Sequence, residues 1–177
     1  MTGPAGPRGA TGPAGAAGAT GVPGPAGATG SAGAVLAFGE FYALMPSDNS
    51  ATVLPGQPVG FPENGPSDGS AAITRLSPFQ ILLSAIGTYE VSFQVSVEEA
   101  GQLELQVNSG ALSYTVVGRD TGTSQITEMA LVTTTSVNSV LQVINPAAAP
   151  QALTITPDAG GVSGSAVSAS LIIERLQ

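Results

Sequence analysis

The chain has no cysteine, no histidine and no tryptophan, and its four basic residues are all arginine: Arg8, Arg75, Arg119 and Arg175. Without cysteine there are no disulfides, no thiol catalysis and no thiolate metal sites. Without histidine, lysine or cysteine, the usual general base, amine nucleophile and thiol nucleophile are all missing. Serine and threonine are plentiful, but nothing here would activate them as a triad does. Twelve carboxylates against four arginines give a net charge of −8. That balance excludes nucleic acid and anionic membranes as partners, since both require a basic surface. Although 42% of residues are hydrophobic, no apolar run is long enough to span a bilayer, so membrane insertion is not expected. Aromatics are scarce too: five Phe and three Tyr. No secretory signal is visible, and Met1-Thr2 leads straight into a repeat. An N-terminal segment carrying the anchoring signal is therefore expected to lie outside this sequence.

What the chain does have is glycine at every third position. The series runs Gly3, Gly6, Gly9, Gly12, Gly15, Gly18, Gly21, Gly24, Gly27, Gly30 and Gly33. At an average glycine usage of about 7%, eleven in fixed register would arise by chance about once in 10^13 trials. A flexible Gly/Ala linker has no reason to keep such register. A collagen triple helix has one: three polyproline II chains wind about a common axis, where only a hydrogen atom fits. Pro4, Pro7, Pro13, Pro23 and Pro25 preset the backbone dihedral this helix needs. Residues 1–35 thus read as a collagen-like stalk, roughly 100 Å long at full extension.

That stalk is a weak one. Five of the 22 non-glycine positions in its eleven triplets are proline, and only Pro23 occupies the third place of its triplet. Arg8 is its only charge, so little ionic pairing fixes the stagger of three chains. Such a helix needs a device to hold the chains together, and residues 36–177 are expected to supply it. Within the stalk, Thr11, Thr20 and Thr29 each close a Gly-Ala-Thr triplet. These positions point outward at intervals of roughly 28 Å, which makes them candidate O-glycosylation sites.

The remaining 142 residues suffice for one domain with a core. In "GTYEVSFQVSV", Tyr89, Val91, Phe93, Val95 and Val97 alternate with polar residues, the period of a half-buried strand. Leu103, Leu105 and Val107 resume the alternation after a turn at 98–101, and Asn108-Ser109-Gly110 marks another turn before Leu112, Tyr114 and Val116. Further strands are expected at 36–45, 71–76, 79–83, 125–134, 137–144, 151–156 and 166–175. No segment sustains a helical period. Many short strands with Gly, Pro, Asn and Ser turns predict an all-β jelly-roll, an antiparallel β-sandwich.

Two stretches break the alternation. In "LQVINP" Val143 and Ile144 are adjacent, and in "SLIIERLQ" Leu171, Ile172 and Ile173 are. Neighbours on a strand face opposite sides, so both faces should be dry there. One face is the core, and copies of the same chain are the simplest cover for the other. Ile144 and Ile172 are therefore candidate trimer-interface residues.

A collagen-like rod followed by an all-β head resembles the complement-type and tumour-necrosis-factor-like jelly-roll family. Gly87-Thr88-Tyr89-Glu90-Val91-Ser92-Phe93 is similar to that family's G-x-Y-x-aromatic strand, with Val91 in place of the aromatic. A closer resemblance, carried by the GAT-type triplets and "GTYEVSFQVSV", is to BclA-like collagen-like glycoproteins of the exosporium, the outer layer of bacterial spores. That resemblance implies a spore-surface, extracellular location, O-glycosylation and attachment to an exosporium basal-layer or fibre-base protein.

Candidate chemistry is thin. A paired-carboxylate hydrolase would rest on Glu98 and Glu99, but neighbours on a turn diverge, and they read as solvated charges. Calcium is the one metal this composition suits. "ENGPSDG" offers Glu63, Asn64 and Asp68 in no recognised loop spacing, so a polar turn is expected there, and no metal or cofactor. The expected protein is a non-enzymatic homotrimeric fibre whose head registers the stalk in a hair-like coat. The alternative is a receptor- or glycan-binding tip of an adhesin or phage fibre.

Overall fold

A computed structural model describes residues 1–24, 35–45, 47–48, 52–120, 124–156 and 166–177. The chain divides into two units, Met1–Ala32 and Gly33–Gln177. In the first, residues 1–24 form neither helix nor strand and are exposed. A Cβ built on any glycine from Gly3 to Gly24 meets nothing within 4 Å. Nothing in the chain's own described residues therefore makes glycine necessary there. Gly27, Gly30, Gly33 and Thr29 lie outside the described residues.

The second unit is an antiparallel β-sandwich. Its strands are β1 (Ala37–Leu44), β2 (Glu63–Ser67), β3 (Ile73–Ser77), β4 (Gln80–Leu83), β5 (Gly87–Val97), β6 (Gly101–Val107), β7 (Gly110–Ala111), β8 (Val117–Arg119), β9 (Ser124–Thr134), β10 (Ser139–Ile144) and β11 (Val167–Arg175). One sheet has the order β2-β1-β11-β5-β9; the other runs β3-β4-β10-β6-β7, with β8 also pairing to β6. Sequence neighbours are often split between sheets, and distant strands such as β1 and β11 pair. This is the winding of a jelly roll.

The alternation read in β5 is realised side chain by side chain. Tyr89, Val91, Phe93, Val95 and Val97 are buried, and they meet Leu103, Leu105, Leu141, Val143, Ile81 and Leu83 of the opposing sheet in a single core. Each large aliphatic or Phe side chain buried in this way contributes about 1.5–3 kcal/mol. Tyr89 is fully buried and donates its hydroxyl to the Ala85 carbonyl at 2.7 Å. Burial raises its pKa, against the lowering influence of Arg175 and that hydrogen bond. In β11, Leu171 and Ile173 point into the core and Ile172 points out, as alternation requires.

Three segments differ from the sequence expectation. The polar turn expected at 63–69 is in its first five residues the edge strand β2, paired with β1. Pro66 is tolerated because an edge strand has an unpaired side. Gly65 fits closely there: an added Cβ would come within 3.0 Å of the Glu40 Cβ. The strand expected at 112–116 is instead a 3₁₀ turn, Ser113–Thr115, between β7 and β8. Thr115 is the cause. Fully buried, it donates Oγ1 to the Leu112 carbonyl (2.8 Å) and accepts from the Leu105 amide (2.9 Å), taking the place of a ladder partner for β6. The stretch 151–156 makes only isolated bridges, Val53 with Leu153 and Val97 with Ile155. The turn signal at Asn108-Ser109, by contrast, closes a two-residue hairpin. Both residues have positive φ, 50° and 65°, and Val107 pairs with Gly110 across them, the geometry whose twist matches paired strands.

The chain enters the sandwich at the pole where it also ends. The Leu36 amide donates to the Arg175 carbonyl (2.8 Å), and the Thr88 amide to that of Gln177 (3.1 Å).

Candidate functional site

The outward face of the first sheet carries the surface feature that alternation alone does not explain. Strand pairing sets its rows. Phe38 lies opposite Glu174, Glu174 opposite Glu90, and Glu90 opposite Leu131. One row on, Glu40 lies opposite Ile172, Ile172 opposite Ser92, and Ser92 opposite Met129. Four large apolar side chains therefore share this face, and none is covered: Phe38 is 40% exposed, Ile172 42%, Leu131 55% and Met129 67%. Leu36 and Leu176, also exposed, continue the apolar character at the pole where the chain enters.

The face is bordered by β9, an eleven-residue strand at the end of its sheet. A long edge rich in β-formers is a template for unwanted pairing unless something covers it. Tyr114 accounts for one group there, donating its hydroxyl to the Leu131 carbonyl at 3.0 Å while its ring stays 64% exposed. The 3₁₀ turn around Thr115 puts the ring in that position. The alternation marks none of Phe38, Met129 and Leu131 as interface residues, and it marks Tyr114 only as part of a strand. A signal existed for two of them: Met129-Ala130-Leu131-Val132 is an adjacent apolar run of the same kind as Leu171-Ile172-Ile173.

Ile144 belongs elsewhere. It is only 4% exposed within the single chain. The segment beside it supplies the cover: Gly56 donates to the Asn145 carbonyl, Asn145 to Gln57 and Val59 to Val143, each backbone bond between 2.8 and 3.0 Å. Val143-Ile144 is dry on both faces, as its pattern demands, but the chain buries Ile144 by itself. Ile144 therefore leaves almost no surface for a second subunit to cover. Ile172 keeps the exposure that such an interface requires.

The candidate chemical groups do not converge. Glu98 is exposed, while Glu99 turns back on its own chain, accepting from the Thr154 amide and hydroxyl, both at 2.6 Å. Burial alone would raise the Glu99 pKa; the two Thr154 bonds, a local backbone contact and the nearby Arg119 charge outweigh it and bring it below the ordinary value. Glu99 is thus not a solvated turn charge. It ties the β5–β6 turn to the 153–155 segment. Arg119 reinforces that turn through the Val97 and Glu99 carbonyls. Asn64 accepts from Arg75 (3.0 Å), and Asp68 accepts from the Ser70 amide and hydroxyl (3.1 and 2.9 Å). Both side chains are held in local structure. No group of three His, Cys, Asp or Glu among the described residues could hold a metal ion, and no described helix is long and apolar enough to cross a membrane. Thr11 and Thr20 are exposed.

No protein-family model matches the sequence, and no curated protein does. Among solved structures, the chain is similar to the globular domain of zebrafish complement 1qA, at a TM-score of 0.52 and 14% identity. That likeness covers 80% of this chain and 97% of the other. It is also similar to murine APRIL, at a TM-score of 0.51 and 11% identity, over 79% of this chain and 98% of that one. The described residues from β1 onward thus share the jelly-roll fold of complement 1q and tumour-necrosis-factor-like heads.

Proposed function

We propose that this protein is a non-enzymatic surface fibre, a homotrimer in which the jelly-roll head clamps and registers a collagen-like stalk. The observation that carries the reading is the uncovered apolar face of the first sheet, Phe38, Ile172, Met129 and Leu131, beside the open edge of β9. Three copies arranged about an axis would cover face and edge together. The stalk supports the same number. Eleven glycines stand in strict register, yet along Gly3–Gly24 the single chain leaves room for a side chain. The crowding that demands glycine would come from two further chains.

In this reading residues 1–35 are the stalk and 36–177 the head. Thr11, Thr20 and Thr29 would display O-linked sugars that hydrate the rod and shield it from proteases. The resemblance of the triplets and of "GTYEVSFQVSV" to BclA-like glycoproteins favours the exosporium as the location, with the fibres forming a hair-like coat. The scarcity of candidate catalytic groups favours a structural role over an enzymatic one. Sedimentation equilibrium of the whole chain at micromolar concentration tests the central claim. A mass three times that of the chain is expected, and a monomer or dimer would overturn it.

A further inference from the structure

A groove of about 500 Å³ lies between the 52–62 segment and the tip of the β3–β4 hairpin, within the size range of small-molecule sites. One chain builds it entirely. None of Phe38, Ile172, Met129 and Leu131, the apolar residues on the outward face of the first sheet, lines it.

Its most prominent side chain is Phe79, at the two-residue hairpin turn where Ser77 pairs with Gln80. Phe79 is 49% exposed, yet it is held from several sides. The Ser77 hydroxyl accepts from its amide at 3.2 Å, and the preceding Pro78 carbonyl accepts from the Phe61 amide at 2.6 Å. The ring lies on the Gly60 backbone, where an added Cβ would come within 3.2 Å of the ring. An aromatic supported beneath by glycine and open above is a fixed platform. Leu54, exposed, and Pro58 extend the apolar surface, while Thr52, Gln57 and Asp48 bring polar groups to the same groove. Asp48 is anchored by the Leu44 amide at 2.8 Å.

We propose that this groove binds a neutral saccharide. A pyranose has a C–H face that suits the electron-rich face of an aromatic ring and a hydroxyl edge that suits an amide, a hydroxyl and a carboxylate. Charge narrows the class further. Among the described residues no basic side chain lines the groove, so a phosphorylated, sulfated or uronic sugar would bring an unpaired anion beside Asp48, at a cost. A wholly apolar ligand would offer nothing to the Thr52 hydroxyl or the Gln57 amide.

Saturation-transfer NMR of the full chain with methyl hexosides, 6-deoxyhexosides and N-acetylhexosaminides tests this. Glucuronic acid, sialic acid and a proline-rich peptide are run in parallel. At least one neutral glycoside should bind, with its C–H face receiving the saturation. Phe79→Ala should weaken binding about tenfold or more, whereas Phe79→Tyr should retain it. Gly60→Ala, which displaces the ring, should weaken it while Phe79 is still present. Circular dichroism establishes that each variant is folded. The proposal is overturned if no neutral glycoside binds at about 10 mM, if Phe79→Ala leaves affinity unchanged, if the acidic sugars bind as well, or if only the peptide binds.

Discussion

Ile172→Glu is the sharpest test of the proposed assembly. Ile172 is 42% exposed in the single chain, and fully burying such a side chain is worth about 1.5–3 kcal/mol. Covering what is left would therefore contribute about 0.6–1.3 kcal/mol per chain, and threefold symmetry repeats it, for roughly 2–4 kcal/mol per trimer. The glutamate does more than delete that contact. It would lie directly across from Glu40, on a face that already carries Glu90 and Glu174. No lysine exists to neutralise it. Burying such a charge unpaired costs several kcal/mol more. Together these terms should reduce a micromolar trimer to monomers. The fold of each head should survive, because the new side chain points to solvent in the isolated subunit. Sedimentation gives the mass, and far-ultraviolet circular dichroism reports the β-sandwich. A trimer with wild-type thermal stability would refute the reasoning and move the interface off this face.

The stalk should show position-specific intolerance. Gly15→Asp should disrupt the triple helix, while Ala16→Asp, pointing outward, should have little effect; thermolysin cleavage of the stalk compares them, and equal sensitivity would argue against a triple helix. Residues 36–177 alone should fold and trimerise, while residues 1–35 alone stay disordered near 25 °C. A cooperative melt of a positive band near 220 nm from the isolated stalk would contradict that expectation. Glu99→Gln should cost about 1 kcal/mol at pH 7, a charged hydrogen-bond value discounted for partial exposure. The Glu99 pKa is lower in the folded state, so its stabilisation is present above the ordinary glutamate value of about 4.5 and fades as pH falls through the folded value. Urea titrations of wild type and variant should therefore differ at pH 7 and converge in acid; a gap independent of pH would remove Glu99 as its cause.

Much of the fold was legible because a strand's period of two places side chains without knowledge of partners. Tyr89, Phe93, Leu105 and Leu171 could be assigned to the core from spacing alone. What spacing cannot give is the identity of the cover. Val143-Ile144 and Leu171-Ile172 present the same pattern, yet Ile144 is buried by the chain's own 56–59 segment and Ile172 is open. The difference depends on a pairing between segments some 85 residues apart in sequence, which no local window contains. Thr115 hid for a related reason. A threonine between two apolar residues reads as the polar side of a strand, and only its two hydrogen bonds, one to Leu105 ten residues away, make it a buried turn. Glu99 escapes a local reading likewise, since its Thr154 partner lies 55 residues on.

The proposed division of labour follows from how weak each part is alone. A collagen-like segment with five prolines among 22 non-glycine positions must order three separate chains, each backbone residue costing about 1–2 kcal/mol of conformational entropy. Free stalks would also have to meet in a three-body event. Joining each to a trimeric head makes that event intramolecular, at an effective concentration in the millimolar range for a short connection. The connection here is short: Gly33 is the last glycine in register, and the Leu36 amide already hydrogen-bonds to β11. Few residues intervene in which register between chains could be lost. The strict glycine period can therefore end two residues before the apolar face begins, because beyond that point the sheets rather than the triplets would hold the three chains in step.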